Sequence, residues 1–192
     1  MEIHIYRTVW MLRHGQESPD RPKPLGGHLT ELGRTQAERA RERLADVPFD
    51  RIVASTFRRA TETAQIVAAR HPGIEVEFTK ELWECLPSIP PSQKEYLPDF
   101  SPDVLAQCQE RLDRVYTRFF ETETPETVLL VGHGTATRYL LRRVLGLPLD
   151  GWALFDLHNC SLSRVEWKTI LGRQITDLNY ADHLPPEMQT YV

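Results

Sequence analysis

Short apolar runs in this chain alternate with stretches whose apolar residues recur at helical spacing, and the switching predicts strands alternating with helices. Residues 3–12, ending in Val9-Trp10-Met11-Leu12, read as a first strand. Thr30 is placed to cap a helix in which Leu32, Ala37, Ala40 and Leu44 recur at helical spacing. Ile52-Val53-Ala54 reads as a second strand, Arg59 to Arg70 as a helix, and Val76 with Phe78 as a third strand. The proline-rich segment from Leu86 to Pro102 reads as a long irregular loop, and loops of that length inside a domain tend to be functional. Ser101-Pro102 then opens a helix whose stripe of Val104, Leu105, Cys108, Leu112, Val115, Tyr116 and Phe119 is expected to be core. Thr127 to Val131 is a buried strand, followed by a helix from Thr135 to about Leu145. Two further strands are expected at Ala153–Leu157 and Leu162–Trp167. The pattern indicates one α/β domain over residues 1–192 with a largely parallel sheet.

Composition narrows the class. The 192 residues are 41% apolar and 26% charged, enough for a sizeable core and typical of a soluble protein. No run approaches a membrane span and no signal-peptide pattern opens the chain, so a cytoplasmic protein with no membrane partner is expected. A net charge of −4 disfavours a nucleic-acid partner. The charges interleaved along residues 31–43 read as a solvated, ion-paired helix face. Cys85, Cys108 and Cys160 are odd in number and lack metal spacing, and are expected to be reduced thiols. A homodimer is neither supported nor opposed by the sequence.

Four chemically capable groups fall at or beyond predicted strand ends. Arg13-His14-Gly15 follows the first strand, Arg59 the second, Glu84 the third, and His133, within Gly132-His133-Gly134, the fourth. Each alone has an ordinary reading: a hydrogen-bonded structural histidine, a surface arginine, a solvated glutamate. Their shared placement is harder to dismiss, because ligands of open α/β sheets sit beyond the carboxyl ends of the strands.

These residues carry a resemblance. The chain resembles the histidine phosphatase superfamily, which includes cofactor-dependent phosphoglycerate mutases. The likeness rests on Arg13-His14-Gly15; on Leu29-Thr30-x-x-Gly33-x-x-Gln36-Ala37; on Ser55-x-x-x-Arg59-Ala60-x-x-Thr63-Ala64; on Leu82-x-Glu84; on Gly132-His133-Gly134; and on Leu178-Asn179 with His183-Leu184. The prolines after Glu84, Gly151-Trp152, and Asn159 with Ser161 are similar to the mitochondrial phosphoglycerate-mutase-like serine/threonine protein phosphatases. That subgroup carries a membrane-anchoring N-terminus and usually has glycine where this chain has Cys85.

The resemblance implies a three-layer phosphoglycerate mutase-like fold and phosphoryl transfer through a phosphohistidine on His14, with no metal and no cofactor. Arg13, Arg59 and His133 would hold phosphate oxygens, and Glu84 would be the general acid. Gln16 and Thr30 are further candidates for contact with the phosphate, each with a structural reading beside it, as turn ligand and helix cap. A unit-charge pair at ~4 Å is worth about 4 kcal/mol at an effective dielectric of about 20, so two arginines can offset much of the cost of desolvating a phosphate. The expected activity is hydrolysis of a phosphomonoester on a small metabolite or a phosphoprotein. Mutase-type transfer and a non-catalytic anion-binding scaffold are the alternatives. A metallohydrolase is disfavoured, because His14 and His133 lack carboxylates at ligand spacing.

Overall fold

In a computed structural model, which describes residues 2–20 and 25–191, the central strands are apolar at successive positions because both their faces are covered. In β1 (Ile5–Arg13), Trp10 and Leu12 enter one hydrophobic cluster while Val9 and Met11 enter the other. β2 (Arg51–Ser55) and β4 (Glu126–Gly132) divide their side chains in the same way, with β3 (Val76–Thr79) outside them. Two helices, α1 (Glu31–Leu44) and α2 (Arg58–Ala68), cover the first face with Ala37, Ala40, Leu44, Ala64 and Val67. The other face lies under α3 (Pro102–Phe120) and α4 (Gly134–Val144), through Val115, Phe119, Leu140 and Leu141. Three layers result.

Among the described residues the sheet has six strands in the order β3-β2-β4-β1-β5-β6. The four at the β3 side run parallel; β5 (Leu162–Lys168) and β6 (Gly172–Tyr180) are antiparallel additions. The chain crosses from β1 to β2, moves outward to β3, and returns to insert β4 between β1 and β2. That reversal places the carboxyl ends of β1, β4 and β2 side by side. Arg13 pairs with Gly132 in the β1–β4 register, so the residues that follow each, His14 and His133, emerge together.

The structure differs from the sequence reading at four places. Ala153–Leu157 is not a strand: a 3-10 helix spans Leu149–Leu154, where the Trp152 indole donates to Ser88 Oγ at 2.9 Å. Arg13 takes the Leu157 carbonyl from the side, so that stretch is used by side chains and not by a ladder. β6 was not expected, because Arg173, Gln174 and Asp177 give it no apolar alternation; it forms as an edge strand hydrogen-bonded to β5. In α3 the apolar stripe is core from Cys108 onward, but Val104 is 46% exposed, because the first turn extends beyond the sheet. Ser101 occupies the cap position of α3, but its side chain makes no capping bond.

Candidate active site

Two glycines shape the turn after β1. A Cβ on Gly15 would stand 2.4 Å from the Gly33 carbonyl oxygen, and one on Gly33 would stand 2.1 Å from that of Gln16. The turn therefore lies backbone-to-backbone on the start of α1, which only residues without Cβ permit. Buried side chains then fix it. The Gly15 amide donates to Thr63 Oγ1 (3.1 Å), the Gln16 amide to Gln36 Oε1 (2.8 Å), and Asn159 Nδ2 to the His14 carbonyl (3.2 Å). Thr190 joins the last two: it accepts from Gln36 Nε2 and donates to Asn159 Oδ1, both at 3.0 Å.

His14, 4% exposed, is held in one tautomer. Its Nδ1 lies 2.7 Å from the Gly15 carbonyl and must carry the proton, since a carbonyl only accepts. Its Nε2 accepts from Arg59 Nε at 2.9 Å and is therefore the basic nitrogen. Arg59 sits in the first turn of α2, and its Nη1 lies 3.3 Å from Glu17 Oε2. The His133 ring stands 5.1 Å from that of His14, edge to face. His133 Nε2 is 2.8 Å from Ser55 Oγ, while its Nδ1 is buried with no partner among the described residues. Burial, with His14 and the cations Arg59 and Arg13 adding to it, holds His133 well below the usual histidine range and so neutral.

The Glu84 carboxylate faces the N-terminus of α4, accepting from the Thr135 amide at 3.3 Å and the Ala136 amide at 3.2 Å. Burial raises its pKa, and that outweighs the Thr135 amide and the neighbouring arginines, which favour the ionised form. Arg13 is also buried, and burial lowers its pKa against the pull of Glu84. Both its Nη atoms donate to main-chain carbonyls, of Leu157 and Tyr191. Its Nε is buried, with no partner among the described residues, beside Gly134. Arg13 is thus a cation braced through both Nη atoms, with Nε left as the donor it can offer a phosphate.

The structure brings His14, Arg59, His133, Glu84 and Arg13 together. Gln16 and Thr30 are adjacent but engaged with each other: Thr30 Oγ1 donates to Gln16 Oε1 (2.8 Å) and accepts from the Gly33 amide (3.0 Å), capping α1. Ser55, Gln36, Asn159 and Glu17 were not singled out as site residues. Ser55 and Gln36 lay inside the motif blocks, but nothing in the sequence said what their side chains would touch. Phe57 and Trp83, stacked with ring centroids 5.0 Å apart, line the side of the site next to His133.

The expectation of reduced thiols is overturned for two of the three cysteines. Cys85 and Cys108 form a disulfide, and Cys160 is a buried free thiol whose pKa burial raises. The pairing was hidden because 23 residues, including an irregular loop, separate the two, and only the return of α3 beside Glu84 brings their Cα atoms to 5.9 Å.

Residues 9–87 and 92–179 match the profile of the histidine phosphatase superfamily (branch 1). The chain belongs to that superfamily. It is 34% identical over 192 residues to a serine/threonine-protein phosphatase Pgam5, mitochondrial, of Caenorhabditis briggsae, a match covering 94% of this chain and 65% of that protein. The chain thus spans about two thirds of that relative's length. Among solved structures, Rv3214 of Mycobacterium tuberculosis superposes with a TM-score of 0.71 at 26% identity, over 91% of this chain and 98% of that one. The alpha-ribazole phosphatase of Shigella flexneri superposes with a TM-score of 0.72 at 21% identity, over 91% and 96%, a likeness of fold. Among the described residues no helix is long and apolar enough to cross a membrane.

Proposed function

We propose that this chain is a phosphomonoester hydrolase that carries the phosphoryl group on His14 Nε2 and passes it to water. The observation that carries the reading is the pair of bonds on the His14 ring. Nδ1–H is spent on Gly15, so the lone pair of Nε2 points into a cationic site. Binding a phosphate requires Arg59 to turn its donors from Nε2 to phosphate oxygens, which frees the nitrogen as the electrophile arrives. Neutral His133, through Nδ1, and Arg13, through Nε, offer further donors to the oxygens. These groups stabilise charge that spreads during transfer, with no step assigned to a metal.

Glu84, whose hold on a proton burial strengthens, gives its proton to the leaving oxygen. As a carboxylate, stabilised by the α4 amides, it then takes a proton from the water that attacks phosphohistidine. Glu84 thus serves as acid and then base within one turnover. The substrate is a phosphorylated small molecule or a phosphoprotein, handled in the cytoplasm. The mitochondrial naming of the Pgam5 relatives belongs to those proteins. Mutase-type transfer gains no support, because between Glu84 and β4 the chain supplies a loop with one 3-10 turn (Pro91–Gln93) and α3, and no further segment to hold a second substrate group.

Turnover of p-nitrophenyl phosphate, with and without vanadate, tests the reading. His14→Ala is expected to abolish it, and acid-labile label is expected on His14 of the wild type during turnover. Glu84→Gln is expected to lose about 10²- to 10⁴-fold on alkyl phosphates, the usual range for acid–base assistance. A His14→Ala protein with wild-type turnover would overturn the assignment.

A further inference from the structure

The segment that carries Glu84 is strapped to α3 at three points. Arg111 Nη2 donates to the Trp83 carbonyl (3.0 Å), Gln109 Nε2 donates to the Pro87 carbonyl (2.7 Å), and between them Cys85 is bonded to Cys108. Of the three ties only the sulfur pair is covalent. Cys108 is 3% exposed, in a small cluster with Leu112 of α3 and Ala136 and Tyr139 of α4, and Cys85 packs against that cluster. The amides that receive the Glu84 carboxylate belong to Thr135 and Ala136, at the start of the same α4. The sulfur pair therefore stands between the two elements that set the carboxyl: the backbone one residue after it, and the helix it points to.

We propose that the Cys85–Cys108 disulfide is a reversible redox modification site whose two cysteines position the general acid, so that reduction slows hydrolysis of esters with poor leaving groups. The proposal rests on the role given to Glu84 above. Reduction by a dithiol proceeds by thiolate attack on the sulfur of Cys85, the less buried of the two residues. The bond to Cys108 breaks, and Cys108 leaves as a thiolate and takes up a proton. The reductant's second sulfur then closes on its first, releasing Cys85. Two electrons and two protons pass to the protein, and the reductant becomes a cyclic disulfide. Two thiols cannot remain at bonding distance, so either the Glu84 segment or α3, which packs on Ala136 at the start of α4, must shift. Displacement of a reacting group by about 1 Å can cost roughly 10²-fold in rate.

The effect has a signature that general loosening lacks. An alkyl phosphate needs the proton from Glu84, whereas p-nitrophenolate leaves without one. The experiment compares kcat/KM, which reports phosphoryl transfer to His14 and not the later hydrolysis shared by both esters, for the oxidised protein, for the protein equilibrated with dithiothreitol, and for Cys85→Ser and Cys108→Ser. Thiols are counted after denaturation in each state. One thiol in the oxidised protein, three after reduction, and an alkyl-phosphate rate that falls at least tenfold more than the p-nitrophenyl phosphate rate would support the proposal. Both variants should match the reduced wild type and be blind to dithiothreitol. Three thiols without reductant, equal losses on the two esters, or no change on reduction would each overturn it. Absence of any His14-dependent turnover in the oxidised protein would overturn the hydrolase reading as well, a failure distinct from redox insensitivity.

Discussion

The His14 ring is oriented by two contacts that its own position in the chain does not reveal. One is to the next residue's carbonyl and the other to an arginine 45 residues away. His133 is handled differently: it is kept neutral by burial and oriented by Ser55. Ser55→Ala leaves His133 Nε2 buried without a partner, and an unsatisfied buried group costs about 1–3 kcal/mol. A loss of that size is expected in denaturant unfolding, together with weaker inhibition by inorganic phosphate. Unchanged stability and phosphate inhibition would show that Ser55 does not orient the ring. Single residues were legible when their chemistry is rare at strand ends, as with His14, Arg59, Glu84 and His133. Ser55, Gln36 and Asn159 were not, because serines and amides serve too many structural ends for their type alone to indicate a partner.

The elements meet where backbone approaches backbone. The turn after β1 and the first turn of α1 are closer than a methyl group allows, so Gly33→Ala must push the Gln16 carbonyl aside. Overpacking of this kind typically costs about 1–3 kcal/mol. Because the displaced residue is two beyond His14, turnover is expected to fall with the melting temperature. Gly146→Ala, at a surface turn where a Cβ would meet nothing within 4 Å but φ is +67°, should cost stability without comparable loss of turnover. The alternation of strand and helix was readable wherever a strand is buried on two faces. It failed at β6 and at residues 149–157, where polar edge pairing and side-chain capture of carbonyls replace apolar periodicity. The disulfide belongs at this level too: closing a loop of this size is worth roughly 3 kcal/mol in the chain-entropy view. Reduction should lower unfolding stability accordingly, beside its effect on catalysis.

For the whole molecule, the site's desolvation shows as a pH dependence of folding. His133 has a native pKa well below the 6.5 of an unfolded histidine, so the unfolded chain binds the extra proton first. Stability from keeping His133 neutral is therefore full above pH 6.5 and declines as pH falls below it. Glu84 acts with the opposite slope: its raised pKa means the native state holds a proton that the unfolded chain releases above about 4.5, so its ionisation costs stability as pH rises. Urea unfolding from pH 5 to 8 is expected to show His133→Gln with a shallower rise in stability over the range than the wild type. An equal slope in both proteins would mean that burial of His133 is not linked to folding.

From the sequence alone came the alternation of elements, the two-sided apolar strands, and four reactive residue types at strand ends, because burial periodicity and residue chemistry are local properties. The tertiary structure decided which of those residues touch. Insertion of β4 beside β1, in a register that pairs Arg13 with Gly132, sets the two histidine rings 5.1 Å apart although 119 residues separate them. The same long-range packing set Arg59 against His14 Nε2, turned both Arg13 Nη atoms onto main-chain carbonyls, and joined Cys85 to Cys108. Hydrogen bonds and disulfides depend on distances between atoms remote along the chain, and residue order constrains those distances only once the chain has folded.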